Sequence, residues 1–325
     1  MNKLISIIIV NYNGKKWLKK CFNSLTCQTY RNFEIIFVDN GSIDGSIEFV
    51  KDNYKDDRVK IIKSDKNLGF AGGNNLGIKN SGGKYLLLLN NDTQFKNDFL
   101  EKLYSYLIES RLDVVAPREA DYNGNPLPYA FNRTIDIFGH PFFLKNKTKN
   151  IFYLQGICLL LSRRIYELTG GLDSDFFMYF EETDWFWRLN LLNKKFGIKK
   201  DVFVHHAGSG TAGKGIQYNT FLWRNQNTLQ MLLKNYSWYS LVWVLPIYFL
   251  QNIAEIFFFF FMFRPKISLS YIQGWLFNIV NINRTLRKRK WIQNNRLVAD
   301  GEIIGRMYFG FGKIDHLFNY FRIKL

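Results

Sequence analysis

Two amides and a carboxylate, Asn90-Asn91-Asp92, close a run of five apolar residues from Tyr85 to Leu89. A lone carboxylate beside amide oxygens is a hard-oxygen donor set, suited to a divalent cation that already carries phosphate groups. The apolar run has no polar interruption. It reads as a strand buried on both faces of a mostly parallel, helix-covered sheet. In such sheets ligands gather beyond the carboxyl ends of the strands, where this triplet falls. Asn and Asp also make ordinary strand-to-turn junctions, so the triplet alone leaves both readings open.

Other polar groups fall at comparable places. Asn11 follows the apolar run Leu4–Val10, and Asp39 follows Phe33–Val38. If those strands are neighbours, an amide and a carboxylate point into one crevice and suit hydrogen bonds to a nucleobase and a ribose. The segment 67–75, with Asn67, Gly69, Gly72, Gly73 and Asn74, reads as a glycine-rich loop along which backbone can approach a ligand closely. It is neither the dinucleotide fingerprint nor a P-loop, because no GxGxxG turn follows the first strand and no Gly-Lys-Ser/Thr follows the glycines. Glu181 and Glu182 open a helix, with Asp184 close by. Adjacent carboxylates raise the pKa of at least one member, while a helix N-terminus pulls the other way. They also serve as plain helix-dipole partners, and Asp184 with Arg188 has the spacing of a helix-face ion pair. His205 and His206 end a short strand, and either is also readable as a strand-end histidine with its hydrogen bonds satisfied.

The elements that must position these groups alternate. Strands are expected at Leu4–Val10, Phe33–Val38, Val59–Ile62, Tyr85–Leu89, Gly156–Leu161 and Val202–Val204. Helices are expected at Lys15–Thr26, where apolar residues recur with helical spacing, at Ser46–Asp52, after the glycine-rich loop, at Asp98–Ser110, and from Glu181 to about Lys195 with Gly197 as its stop. That alternation predicts an α/β domain with a parallel sheet. Arg118–Lys149 is Asn/Pro/Lys-rich and poorly periodic, which predicts an extended loop able to act as a mobile lid.

The 325 residues suffice for one large or two moderate domains. The formal net charge of +17 points to an anionic partner: nucleic acid, an anionic membrane surface or phosphorylated substrates. Cys21, Cys27 and Cys158 have neither disulfide-framework nor metal-ligand spacing, so a reducing compartment is expected. Ile5–Val10 is too short for a targeting core, and a chain starting at or near Met1 in the cytosol is expected. Beyond Gly215 the composition changes. Trp238–Phe263 holds two apolar blocks split by Gln251, Asn252 and Glu255, neither long enough to span a bilayer. A span through both would bury a carboxylate near its centre. With the cationic stretch Arg284–Trp291, an interfacial membrane-surface region fits better than a span. A soluble helical subdomain with a solvated basic face is the plain alternative.

Five segments occur in order: Ser6–Asn13, Val38–Ser46, Asn67–Asn75, Asn90–Asp92 and Phe180–Trp185. Together they resemble the family 2 glycosyltransferases with the GT-A fold, specifically the rhamnosyltransferase-like branch, over residues 3 to 215. The resemblance implies a GT-A domain over 1–215, a mostly parallel sheet flanked by helices; the composition beyond it gives a helical, basic and aromatic, membrane-associating region over 216–325. It implies an inverting transfer from a nucleotide-diphospho-sugar, of the dTDP-rhamnose or UDP-hexose type, with Mg²⁺ or Mn²⁺. The donor-binding residues implied are Asn11, Asn13, Asp39, Asn40, Asn67, Gly69, Gly73, Asn74, Asn90 and Asn91. Asp92 would hold the metal, with His205 as an extra ligand. The family's metal motif is often Asp-x-Asp; Asn90 occupies the first position here, so weaker metal dependence is expected. Glu182 matches the family's catalytic base, with Glu181 beside it. The implied acceptor is a saccharide or lipid-linked saccharide on a route to bacterial surface polysaccharide, at the cytoplasmic face of the inner membrane.

Two other classes compete. A processive membrane synthase would carry Gln-x-x-Arg-Trp, but Gln293-Asn-Asn-Arg296-Leu297 lacks the Trp and spanning segments are too few. A non-catalytic nucleotide-sugar or nucleic-acid module would explain the charge. The basic residues cluster beside apolar runs and not in a nucleic-acid motif, so no nucleic-acid partner is expected.

Overall fold

The computed structural model describes residues 3–127, 133–143, 151–208 and 217–313. In chain order the elements are β1 (Ile5–Asn11), α1 (Lys15–Thr26), β2 (Phe33–Asp39), α2 (Ser46–Asn53), β3 (Val59–Lys63), α3 (Gly69–Lys79), β4 (Tyr85–Asn90) and β5 (Thr93–Gln94). Next come α4 (Phe99–Ser110), β6 (Val114–Ala120), β7 (Arg133–Ile135), β8 (Pro141–Phe143), β9 (Cys158–Ser162), α5 (Arg163–Leu168), α6 (Glu181–Leu191) and β10 (Phe196–His206). The helices α7 (Tyr218–Asn235), α8 (Trp238–Phe261), α9 (Pro265–Val280), α10 (Ile282–Asn295) and α11 (Asp300–Ile304) follow.

Contacts divide the chain into two compact units. The first holds residues 1–130, 154–177 and 194–212; the second holds 131–153, 178–193 and 213–325. The units interleave along the sequence, unlike the expected split at 215: hairpin β7–β8 and helix α6 group with the C-terminal helices.

The first unit is built on an eight-stranded sheet of order β3-β2-β1-β4-β9-β6-β10-β5. β1 pairs in parallel with β2 and β4, β2 with β3, and β6 with β10, while β9 and β5 run antiparallel to their neighbours. The central strands read as uninterrupted apolar runs because both their faces are covered: Ile7, Ile8 and Ile9 of β1 and Leu86 to Leu88 of β4 are fully buried. Register places Asn11 directly beside Asp39, and Val10 beside Asn90. The polar ends of β1, β2 and β4 therefore share one edge.

Several expectations are corrected. The glycine-rich segment is not a loop: α3 begins at Gly69 and runs through Gly73 and Asn74. Its glycines let it lie close on β1, because a Cβ at Gly73 would sit 2.6 Å from Val10 Cγ1. Helix α6 ends at Leu191, and it is Asn193, in the left-handed region at φ 52°, that turns the chain. Gly197 lies inside β10, opposite Val115, and the expected strand Val202–Val204 is the end of that eleven-residue strand. The region 118–149 is not one loop. Its start completes β6, and Arg133–Ile135 pairs antiparallel with Pro141–Phe143. Residues 128–132 and 144–150 lie outside the described residues.

In the second unit, that hairpin is held by the buried Asp136 carboxylate, which accepts from the backbone N–H groups of Phe138, His140 and Gly312. Phe138 stacks on Phe311 and Phe142 on Tyr308. Helix α7 packs along α9 and α10, and α8 along α9.

Candidate active site

The polar edge of the first unit is a single hydrogen-bonded network centred on Asn11. Its Oδ1 accepts from Asn91 Nδ2 at 2.6 Å, and its Nδ2 donates to Ser42 Oγ at 3.1 Å and reaches Asp39 Oδ1 at 3.5 Å. Asp39 Oδ2 takes the Ser42 N–H, and Ser42 Oγ also accepts from the Asn13 N–H. Asn13, left-handed at φ 52°, presents Oδ1 to the Ile43 N–H. The amide and carboxylate at the ends of β1 and β2 are thus locked by the loop after β2. Preorganisation of this kind is what polar recognition of a nucleoside needs.

A second network joins it. Asn40 Nδ2 donates to Asn67 Oδ1 and to the Gly69 carbonyl, and Asn40 Oδ1 accepts from the Leu68 N–H. Gly69 sits at φ 73° with its Cα against the Phe177 carbonyl; a Cβ there would lie 2.1 Å from that oxygen, so no other residue fits. Asn40, Asn67 and Gly69 are brought to the edge as expected. Gly73 and Asn74 are not: Gly73 packs on Val10, and buried Asn74 donates Nδ2 to the Phe70 carbonyl one turn back.

Beyond β4, Asn90 N–H bonds the Ile157 carbonyl, and the Asn90 carbonyl accepts from Thr93 Oγ1. Buried Asp92 has its backbone carbonyl bonded by Tyr122 Oη and the Ala207 N–H. Its carboxylate lies 3.0 Å from His206 Nε2. His205, the histidine expected at this place, points elsewhere, with Nδ1 3.0 Å from the Asp121 carbonyl. Successive strand side chains face opposite ways, so only one of the two can meet Asp92, and it is His206. Burial, followed by the Asp92 charge, pushes the Tyr122 hydroxyl up to about 12, keeping it a proton donor.

The donor set fits a cation that travels with its substrate. A single carboxylate with one imidazole leaves most coordination positions to diphosphate oxygens and water. Among the described residues no group of three or more His, Cys, Asp or Glu side chains stands ready to hold a metal by itself.

Near Asn13 the surface forms an open depression of about 540 Å³ lined by Lys15, Lys16, Lys19, Asp44 and Phe49. Residue types alone did not point to Ser42, Tyr122 or this lysine cluster. Ser42 was findable, since its Asp-x-x-Ser spacing after a strand is that of a side chain capping its own turn.

In the second unit, α6 opens on Glu181 and Glu182 behind two consecutive left-handed aromatics, Tyr179 at φ 71° and Phe180 at φ 68°. Non-glycine residues resist this region, at about 1 kcal/mol or more each. The turn is held from α7: Asn227 Nδ2 donates to the Met178 and Tyr179 carbonyls, and the Arg224 guanidinium stands 4.9 Å from the Tyr179 ring. Glu181 is buried and its Oε2 has no hydrogen-bond partner among the described residues. Burial first, and the neighbouring Glu182 charge second, hold its carboxyl well above the usual range. Glu182 is the more accessible of the pair. Asp184 makes the expected pair with Arg188 at 3.0 Å and also takes Lys234 Nζ at 3.1 Å and Asn235 Nδ2 at 2.9 Å. It is a buried anchor between α6 and α7.

The open α/β sheet with this polar carboxyl edge has the GT-A architecture. The family model for glycosyl transferase family 2 matches residues 6–169, and the chain belongs to that family. It is 35% identical over 125 residues to the glycosyltransferase GlyG of Streptococcus pneumoniae, covering 38% of this chain and 41% of that one. It is 28% identical over 212 residues to the low-salt glycan biosynthesis hexosyltransferase Agl10 of Haloferax volcanii, covering 62% and 66%. The chain thus spans less than two thirds of the length of these curated relatives. Among solved structures it is similar to the mannosyltransferase PcManGT from Pyrobaculum calidifontis in complex with GDP-Man and Mn²⁺, at a TM-score of 0.54 and 14% identity, covering 90% of this chain and 83% of that one.

Proposed function

We propose that the chain is an inverting glycosyltransferase that moves a sugar from a nucleotide-diphospho-sugar to a saccharide or lipid-linked saccharide acceptor in surface polysaccharide synthesis. The observation that carries this reading is the Asn11–Asp39–Ser42–Asn91 network at the strand-end crevice, with the Asp92–His206 pair following Asn91 directly in sequence. In this reading Asp39 and Asn11 bind the nucleoside, and Asn40, Asn67 and the Gly69 turn shape the floor beside it. Asp92, with His206, holds the divalent metal. When bound, such a cation offsets charge on the departing diphosphate. Tyr122 and Ala207 fix the Asp92 backbone, so its carboxylate is aimed before any ligand arrives.

Inversion needs a base on the acceptor hydroxyl. Glu182 is assigned that role on its match to the family's motif and its accessibility. Buried Glu181 beside it is biased toward its neutral acid, by burial first and by the Glu182 charge second. The donor is proposed to be a dTDP-rhamnose-like or UDP-hexose compound; GDP-mannose enters the test because PcManGT is solved with it.

The test is donor hydrolysis. dTDP-, UDP- and GDP-sugars are incubated with the protein and Mg²⁺ or Mn²⁺, and released nucleotide diphosphate is measured beside an Asp92→Ala control. Metal-stimulated release from one donor, lost in the control, is the expected result. Tight donor binding with no release, even when lipid-linked acceptor extract is added, would instead make the protein a nucleotide-sugar-binding module.

A further inference from the structure

Helices α8 and α9 form an antiparallel pair with one side left open. Along α8 the residues Val242, Leu250, Phe257 and Phe261 are exposed, and along α9 so are Leu276 and Val280. Their spacing follows the helical period on each helix, so each helix exposes an apolar stripe, not scattered residues. The connection is apolar as well: Phe263 stands 93% exposed. An apolar surface of this extent marks an interaction site.

The other side of α8 is packed on protein and carries Gln251, Asn252 and Glu255. Glu255 accepts from Gln251 Nε2 at 3.0 Å, from Lys313 Nζ at 2.8 Å and from Tyr271 Oη, and Asn252 beside it is fully buried. At 24 residues α8 is about 36 Å long, enough to cross a bilayer. Crossing would strip Glu255 of Lys313 and Tyr271 and place Glu255, Gln251 and Asn252 in hydrocarbon. With its polar side docked on the protein, α8 is arranged to lie flat.

Charge selects the occupant. No basic residue interrupts the stripe on α8, yet exposed Arg264 and Lys266 follow its tip, and exposed Arg287 and Lys290 stand on α10. Trp238, Tyr239 and Trp243, exposed at the start of α8, are the residues that settle at a lipid headgroup boundary. Arg289 of the basic run is excluded from this role: it is buried, donates to the Leu233 carbonyl and stacks 4.0 Å from the Trp238 ring.

We propose that the α8–α9 face lies in the plane of a bilayer surface bearing anionic headgroups, without crossing it. The inference is independent of the transfer reading. Its test uses the full chain with phosphatidylcholine vesicles, with and without phosphatidylglycerol, in a sedimentation assay. Wild type is expected to pellet with the anionic vesicles, to be released by alkaline carbonate, and to show a blue shift in tryptophan emission. Leu250→Glu with Phe257→Glu should abolish pelleting while thermal unfolding stays unchanged, since both side chains are already in water. Arg287→Gln and Lys290→Gln should each weaken binding about fivefold at low salt. Three results overturn the proposal: no pelleting with either vesicle, retention after carbonate as for a spanning helix, or a lipid-free dimer that Leu250→Glu dissociates and vesicles ignore.

Discussion

Asn91 Nδ2 donates to Asn11 Oδ1 across 2.6 Å, joining the loop after β4 to the end of β1. With that oxygen engaged, Asn11 has one orientation, in which its Nδ2 faces Ser42 and Asp39. In the proposed reading Asn91 is therefore a positioning residue for this crevice. Asn91→Ala should weaken nucleotide binding by about tenfold, the worth of one partly buried hydrogen bond, and should raise KM far more than it lowers kcat. Calorimetry with the free nucleotide diphosphate measures the first, and donor-hydrolysis kinetics the second. Unchanged affinity would remove Asn91 from this role.

The two adjacent histidines should separate cleanly. His206 touches the Asp92 carboxylate, whereas His205 faces the Asp121 carbonyl. His206→Ala should shift the metal concentration needed for half-maximal donor hydrolysis upward by about tenfold or more. His205→Ala should leave it within error. A metal titration of both variants decides, and a larger effect at His205 would reinstate the assignment drawn from sequence.

Glu182→Gln should lower kcat by about 10²- to 10⁴-fold while donor binding is retained, the range expected for loss of a general base. Retained transfer would move the base elsewhere.

Glu181 makes a separate prediction through pH. Its folded-state pKa is raised, so between its unfolded and folded values the native state binds a proton that the unfolded chain has released. Stability is then greatest below the unfolded pKa and falls as pH rises through the folded one. Glu181→Gln removes that loss. The variant should be more stable than wild type at neutral and mildly alkaline pH, with the difference vanishing in acid. Urea midpoints across pH 4 to 8 give the readout, and a variant less stable at every pH would contradict it.

Asp184 should be a stability residue. Asp184→Asn removes the buried carboxylate that Lys234 and Arg188 both contact, which costs about 3–5 kcal/mol. Replacing the pair together, Asp184→Leu with Lys234→Met, should recover much of the loss. Chemical denaturation of the three proteins tests both statements.

The parts legible in sequence were those written in local pattern. Apolar runs in β1, β2 and β4, each closed by a polar residue, gave the strands and their polar ends, while their pairing comes from the structure. Other features depend on distant partners. The β7–β8 hairpin follows no period because the Asp136 carboxylate and stacking against Tyr308 and Phe311 order it. The glycines of α3 looked like loop formers because the closeness of Val10 and Phe177 is not visible in a string. The choice between His205 and His206 depended on strand phase, and β10 shifts register between Lys199 and Phe203.

The turn before α6 has a bearing on modularity. Tyr179 and Phe180 keep their left-handed backbone, and Asp184 its countercharges, through Asn227, Arg224, Lys234 and Asn235, all on α7. The family match ends at residue 169, and a fragment stopped near 215 would begin α6 without these α7 contacts to its first turn. The C-terminal helices are thus no detachable appendage. A shuffled or truncated version would inherit the polar strand-end network but not the carboxylate turn, so a version that keeps that turn as it stands must extend at least through Asn235.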